Sequence, residues 1–227
     1  MGLTDRQARM AEWLNAHGRG TVQELAAAFF VSEMTVRRDL NELARGGYAQ
    51  RYNGGAMCPP RAALRPIAER ELLNAAEKER LSRRARRYLH DGMTVFIDSS
   101  STCAHIVPLL TAYRGIQMVT NSMYSLALAA DDHIPCIVVG GTYYEPDMCT
   151  VGSAAEAFLR GLNVDTAFFS VQGFDGELLT DSDGPQTAVR QAAMHGSAQN
   201  IFLMDPTKRG GRYLYTVCRA AEVVVDI

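Results

Sequence analysis

The sequence predicts an α/β protein in two parts: three helices with a small hairpin, then a mostly parallel sheet covered by helices. Three observations carry this. Two short helical patterns face each other across a tight turn within residues 21–43. From Thr94 onward, short apolar runs alternate with helix-length patterns, which is how a parallel sheet reads when both of its faces are buried. Between the two parts, Cys58-Pro59-Pro60 and Arg65-Pro66 break regular structure.

Taken in order, Met10, Trp13 and Leu14 stand at i, i+3 and i+4, one helix face, and Gly18-Arg19-Gly20 ends that helix. Residues 21–30 form the second helix. Ser32 is placed to cap the third, because its side-chain oxygen accepts from the free N–H groups of a first turn. Val36, Leu40 and Leu43 then make an inward apolar stripe, while Thr35, Arg37, Arg38 and Asn41 point elsewhere. Two short helices across a tight turn, the second with arginines near its start, are the parts of a helix-turn-helix that reads double-stranded DNA. Tyr48–Tyr52 followed by Asn53-Gly54-Gly55 reads as a strand and turn, completing a winged helix-turn-helix with Arg51 on its wing. The expected boundaries are 1–57 for this domain, 58–76 for a linker and 77–227 for the second domain. The DNA-contacting candidates are Ser32, Thr35, Arg37, Arg38 and Arg51.

Charge distribution agrees with a polyanion partner for the first part only. Residues 1–87 hold 16 basic and 10 acidic side chains, a net +6, whereas residues 88–227 hold 7 and 15, a net −8. The helix from Glu77 has an apolar stripe of Leu81, Ala85, Tyr88 and Leu89. Its Arg80, Arg83, Arg84, Arg86 and Arg87 are read as a solvated face rather than a second DNA contact. Five cysteines form no CxxC pair and the five histidines are scattered, so reduced, buried thiols and no metal or cofactor are expected. No signal peptide and no apolar run near the roughly 18 residues of a membrane span is found, which points to a cytoplasmic protein without a membrane partner.

In the second part the expected strands are 94–97, 116–119, 134–139, 167–171 and 201–204. The intervening helices are 104–113, 124–130, 153–162 and 186–198. Ligands of open parallel sheets bind beyond the carboxyl ends of the strands. The first strand runs into Asp98-Ser99-Ser100-Ser101-Thr102, whose hydroxyls and N–H groups suit a phosphate. Further strand ends carry Thr120-Asn121, Gly140-Gly141, Gln172-Gly173-Phe174-Asp175 and Asp205-Pro206-Thr207-Lys208. Lys208 is the only lysine after Lys78, a lone ammonium at a strand end. Ser, Thr and Asp after strands also serve as ordinary helix caps, and Gly-Gly as an ordinary turn.

The stretch ELAAAFFVSEMTVRRDLNELARGGYAQRYNGGAM closely resembles the N-terminal domain of the DeoR family of bacterial transcriptional regulators. The segments FIDSSST, VTNS, VGG, VGSAA, GFD and DPTK resemble the sensor domain of the same family, whose fold is that of ribose-5-phosphate isomerase and glucosamine-6-phosphate deaminase. The resemblance implies a repressor of carbohydrate-metabolism genes, acting on operator DNA and controlled by a phosphorylated sugar or related metabolite. A homodimer or homotetramer is expected because helix-turn-helix readers usually dimerise on paired half-sites. By position, the effector residues would be Asp98, Ser99, Ser100, Ser101, Thr102, Thr120, Asn121, Gly141, Asp175 and Lys208. Two departures stand out. The family's E-x-E-V-K is Gln186-Thr187-Ala188-Val189-Arg190 here, and the chain ends at Val225-Asp226-Ile227 where the family continues with another helix and strand.

The alternative is a sugar-phosphate isomerase or deaminase carrying an accessory DNA-binding domain, with Asp98 or Asp175 as general base. The missing acids at positions 186 and 188, and the basic winged helix, favour a non-enzymatic sensor.

Overall fold

The computed structural model describes residues 4–45, 48–57 and 67–227. The chain divides into two compact units, Met1–Arg65 and Pro66–Ile227.

The first unit contains α1 (Asp5–His17), β1 (Arg19–Thr21), α2 (Val22–Phe29), α3 (Glu33–Arg45), β2 (Gln50–Tyr52) and β3 (Gly55–Met57). Both α1 and α2 start with a capping box: Thr4 with Gln7, and Thr21 with Glu24. Phe30 adopts a left-handed conformation at φ 53° and turns the chain out of α2, and Ser32 Oγ accepts from Thr35 N–H to start α3. The three strands pair antiparallel in the order β1-β3-β2. A Cβ on Gly55 would collide with the Gly20 carbonyl and the Tyr52 ring, so this strand crossing requires glycine. Met10, Leu14, Leu25, Val36, Leu40 and Leu43 are fully buried and form the core of the unit. Truncating one of these leucines should cost about 2–5 kcal/mol.

The second unit opens with α4 (Ile67–Leu72) and α5 (Ala75–Ala85), so residues 67–76, expected as linker, carry helix. The rest of that expected linker, 58–66, lies outside the described residues. Six strands follow in one parallel sheet: β4 (Thr94–Ile97), β5 (Gln117–Thr120), β6 (Cys136–Val138), β9 (Val164–Phe169), β12 (Ser197–Leu203) and β14 (Val224–Asp226). Their order is β14-β12-β9-β4-β5-β6. Side chains alternate between its faces. Phe96, Phe169 and Phe202 pack with α8 (Ser153–Arg160) and α9 (Gly184–His195). Val95, Ile97, Phe168 and Ile201 pack on the other face with α6 (Ser101–Ala104) and α7 (Met123–Asp131).

Three features differ from expectation. The helix expected over 104–113 is α6 followed by a 3-10 turn at Val107–Ala112, with Pro108 as its second residue. Two antiparallel additions interrupt the alternation: the hairpin of β7 (Thr142–Tyr144) and β8 (Cys149–Val151), and a small sheet of β10 (Gly173–Phe174), β11 (Leu178–Asp181) and β13 (Tyr215–Arg219). The last residues form β14, an edge strand parallel to β12. Arg84 and Arg87 of the arginine-rich segment ion-pair with the buried Asp226 of β14, while Arg80 and Arg83 pair with Glu77 and Glu79. That face is therefore partly a brace rather than simply solvated.

Candidate functional site

In the first unit, helical periodicity sends Met34, Arg37, Arg38 and Asn41 outward together, opposite the buried Val36, Leu40 and Leu43. Arg37 is held by Glu33 one turn earlier at 3.2 Å, whereas Arg38 is exposed and has no such pair among the described residues. Ser32 and Thr35 engage each other, their hydroxyl oxygens 3.0 Å apart. Asp39 is buried and receives Arg6 Nε at 2.6 Å and Gln7 Nε2 at 3.2 Å, so it ties α3 to α1. Arg51 is half-buried on β2, and its Nη1 is buried without a partner. Met34, 77% exposed amid polar neighbours, and Asn41 join the outward face; sequence reasoning did not select either as a contact.

In the second unit, the chain leaves β4 for β5 and β6 on one side and returns to β9, β12 and β14 on the other. The β4/β9 boundary is thus the topological switch point where such sheets open a crevice. Asp98 and Ser170, at the carboxyl ends of these two strands, meet there. Asp98 Oδ1 accepts from Ser100 N–H at 2.9 Å; Oδ2 accepts from Ser170 N–H at 3.2 Å and from Arg190 Nε at 3.1 Å. Arg190 also reaches Asp181 at 3.1 Å. Burial opposes its charge, but the Asp181 and Asp98 carboxylates outweigh burial and keep the guanidinium charged.

Around this pair stand two lysines, the only two in the chain. Lys208, on the 3-10 turn Pro206–Lys208, donates from Nζ to Ser170 Oγ at 3.0 Å. Lys78, on α5, is 5% exposed and donates to Ser101 Oγ at 3.0 Å and to the Arg70 carbonyl. Burial lowers the Lys78 pKa to about 8 despite the opposing pull of Glu71, with Lys208 and Arg70 adding to the fall. Burial also lowers Lys208, against the pull of Asp205 and Asp181. Arg70 of α4 ion-pairs with the buried Asp147. Gln186 links the parts: it accepts from Ser99 Oγ at 2.8 Å and donates to Asp147 at 2.7 Å. The thiols nearby are inert, since burial pushes Cys149 up to about 12 and Cys103 well above its ordinary range.

Among the expected effector residues, Asp98, Ser99, Ser100, Ser101, Thr102, Thr120 and Asn121 lie buried at neighbouring strand ends, with Lys208 half-buried beside them. Several already have structural work. Thr120 Oγ1 donates to the Ile97 carbonyl at 2.6 Å, and Ser100 Oγ accepts from Cys103 N–H at 3.1 Å. At Gly141 a Cβ would lie 2.7 Å from the Val151 carbonyl oxygen, so glycine is needed there for close backbone approach. Asp175 stands apart: it is exposed, accepts the amides of Glu177 and Leu178 in the β10–β11 turn, and pairs with Arg212 at 3.4 Å.

The DeoR C terminal sensor domain model matches residues 73–226, and the DeoR-like helix-turn-helix domain model matches residues 6–61. The chain belongs to the DeoR family. It is a DNA-binding transcriptional regulator with a sensor domain. An uncharacterized HTH-type transcriptional regulator, YulB of Bacillus subtilis, is 30% identical over 98% of this chain and 87% of that protein. The B. subtilis regulator IolR is 30% identical over 93% and 85%. The glycerol-3-phosphate regulon repressor of Escherichia coli is 28% identical over 92% and 84%. A solved ribose 5-phosphate isomerase A of Methanocaldococcus jannaschii aligns in part, at TM-score 0.45 and 18% identity, covering 60% of this chain and 55% of that one.

For this DeoR-family sensor, sequence reasoning missed Arg70, Lys78 and Asp147, and treated Gln186 and Arg190 only as departures. Lys78 left one signal, its rarity among 23 basic residues. Among the described residues no helix is long and apolar enough to cross a membrane, and no group of three His, Cys, Asp or Glu side chains is placed to hold a metal.

Proposed function

We propose that this regulator represses carbohydrate-metabolism genes and that its sensor domain binds a phosphorylated sugar or related metabolite at the β4/β9 switch point. The observation that carries the reading is the convergence there of the chain's two lysines, both desolvated, with the hydroxyls of Ser101 and Ser170. Two ammonium groups held against burial at one strand edge favour an anionic ligand. Arg70 adds a third cation, now paired with Asp147. Two relatives whose names specify the control they exert support the ligand class: the glycerol-3-phosphate regulon repressor and the lactose phosphotransferase system repressor of Lactococcus lactis, 27% identical over 92% of this chain and 84% of that protein.

Binding is favoured over turnover because neither candidate base is available. Both oxygens of Asp98 are occupied, and Asp175 lies in an exposed turn. Operator contact is assigned to Ser32, Thr35, Arg37, Arg38 and Arg51. Arg38 is the best candidate for a guanine edge, and pairing of homodimer or homotetramer subunits sets the spacing of half-sites. The test is a mobility-shift titration of selected operator DNA against a panel of sugar phosphates. Release of DNA by at least one member is expected. Release by none, or steady isomerisation or deamination of a panel member, would overturn the reading.

A further inference from the structure

Beside the cations, a second group of side chains is built for a different part of a ligand. Asn121, 1% exposed at the carboxyl end of β5, donates from Nδ2 to the Thr150 carbonyl at 3.0 Å and leaves Oδ1 buried without a partner. One turn on, Ser125 in the start of α7 is fully buried, and its Oγ has no partner either. Glu71 of α4 places Oε1 2.8 Å from Nε2 of His105, which follows α6, while Glu71 Oε2 is buried and unpartnered. These elements adjoin: α4 and α7 each pack against α6, and the neighbour of Glu71, Arg70, pairs with Asp147, whose neighbour Met148 accepts from the backbone N–H of Met123. The Glu71 carboxylate also acts on Tyr124, raising its pKa after burial does, and on Lys78, which it helps keep charged. Glu71 therefore lies between the start of α7 and the lysine.

Native interiors rarely leave buried oxygens unmatched, because such an oxygen has given up water and received nothing in return. Here three such oxygens, Glu71 Oε2, Asn121 Oδ1 and Ser125 Oγ, come from α4, the end of β5 and the start of α7, which adjoin through α6 and the Arg70–Asp147 pair. The Glu71 and Asn121 oxygens only accept, the Ser125 hydroxyl both accepts and donates, and Arg70 Nε beside Glu71 is a buried donor without a partner. Lys78 and Arg70 alongside disfavour a metal or ammonium ion, and a set that mixes acceptors with donors suits neutral O–H groups, which do both.

We propose that Glu71, Asn121 and Ser125 form a hydroxyl-reading wall, which selects the polyol portion of the effector while the lysines hold its phosphate. This rests on the sugar-phosphate reading above and deepens it. The wall, not the cation cluster, then decides which phosphorylated sugar the regulator answers to.

The test is calorimetric binding of a panel of pentose and hexose phosphates and glycerol 3-phosphate, with inorganic phosphate as the anion-only probe. It compares the wild type with Ser125→Ala and Glu71→Gln, both close in size to the residues they replace and checked for folding by thermal melting. The wild type should bind one panel member at least tenfold tighter than inorganic phosphate. Ser125→Ala should lose fivefold or more for that member and stay within twofold for inorganic phosphate; Glu71→Gln, which also removes a carboxylate that helps keep Lys78 charged, should lose at least fivefold more for that member than for inorganic phosphate. Variants that keep the full preference, or that lose both ligands in proportion, would overturn the wall and leave the sugar-phosphate reading standing. A wild type with no preference for any panel member over inorganic phosphate would overturn the sugar-phosphate reading itself.

Discussion

Arg37 and Arg38 are adjacent in sequence but differ in their surroundings. Glu33 holds Arg37 across one helical turn, while Arg38 is exposed and, among the described residues, has no such pair to break. Arg38→Ala should therefore cost about 1–3 kcal/mol of operator affinity and relax sequence preference, with Arg37→Ala costing less. Filter binding on matched and mismatched operators measures both, and a larger loss for Arg37 would contradict the assignment. The next residue, Asp39, was legible as polar but not as a tether, because its partner Arg6 lies a whole helix away. Lys78 gives a pH prediction. Burial lowers its pKa to about 8, with Lys208 and Arg70 adding to the fall and Glu71 and Asp205 opposing it, so the ammonium is present below that value and lost above it. Affinity for a phosphorylated effector should fall between about pH 7.5 and 9, and Lys78→Met should flatten this dependence while weakening binding at neutral pH. Protein stability has the opposite sign. The unfolded chain keeps the Lys78 proton up to its ordinary value of 10.5, so this group makes the fold more stable as pH rises from about 8 towards that value. A wild-type affinity unchanged across that range would remove Lys78 from the site.

At the scale of elements, the strands of the parallel sheet were readable because each is a compact apolar run between turn signals. The hairpin β7–β8 and the sheet β10-β11-β13 were not, since their strands are two to five residues long and all but β10 carry a Thr among few apolar residues, with pairing set by the tertiary fold. Helix α4 escaped because it begins directly after a proline, where a linker is the natural expectation. The loops of the site were legible for the opposite reason: hydroxyls and glycines after strands form a local pattern. Arg70, Lys78 and Arg190 sit on helices and reach the site only through packing, so no local pattern reports them. The arginine-rich segment shows the same limit. Arg84 and Arg87 converge on Asp226, which is fully buried on the edge strand β14. Replacing both arginines by alanine would leave that carboxylate unpaired. The cost should be about 2 kcal/mol, below that of a wholly buried pair because the guanidinium groups are part-exposed. Urea unfolding of the second unit measures this, and an unchanged midpoint would show that the brace is idle.

Across the whole molecule, the unit Met1–Arg65 holds 9 basic and 6 acidic side chains, a net +3, and the unit Pro66–Ile227 holds 14 and 19, a net −5, so the charge of the DNA reader and that of the sensor differ in sign at the contact division itself. A fragment beginning near Pro66 should fold, keep its anion site and show no affinity for DNA; a fragment that is insoluble would contradict that independence. An acidic sensor repels an anion everywhere except where local cations prevail, so the account turns on Lys78 and Lys208. A charge-assisted hydrogen bond to phosphate contributes about 1.5–3 kcal/mol, roughly ten- to hundredfold in affinity. The most direct measurement is a calorimetric titration of the tightest-binding sugar phosphate against wild type, Lys208→Ala and Lys78→Met, each checked by thermal melting without ligand. Both folded variants should lose at least tenfold in affinity. Wild-type affinity retained in both would place the effector elsewhere and contradict the account.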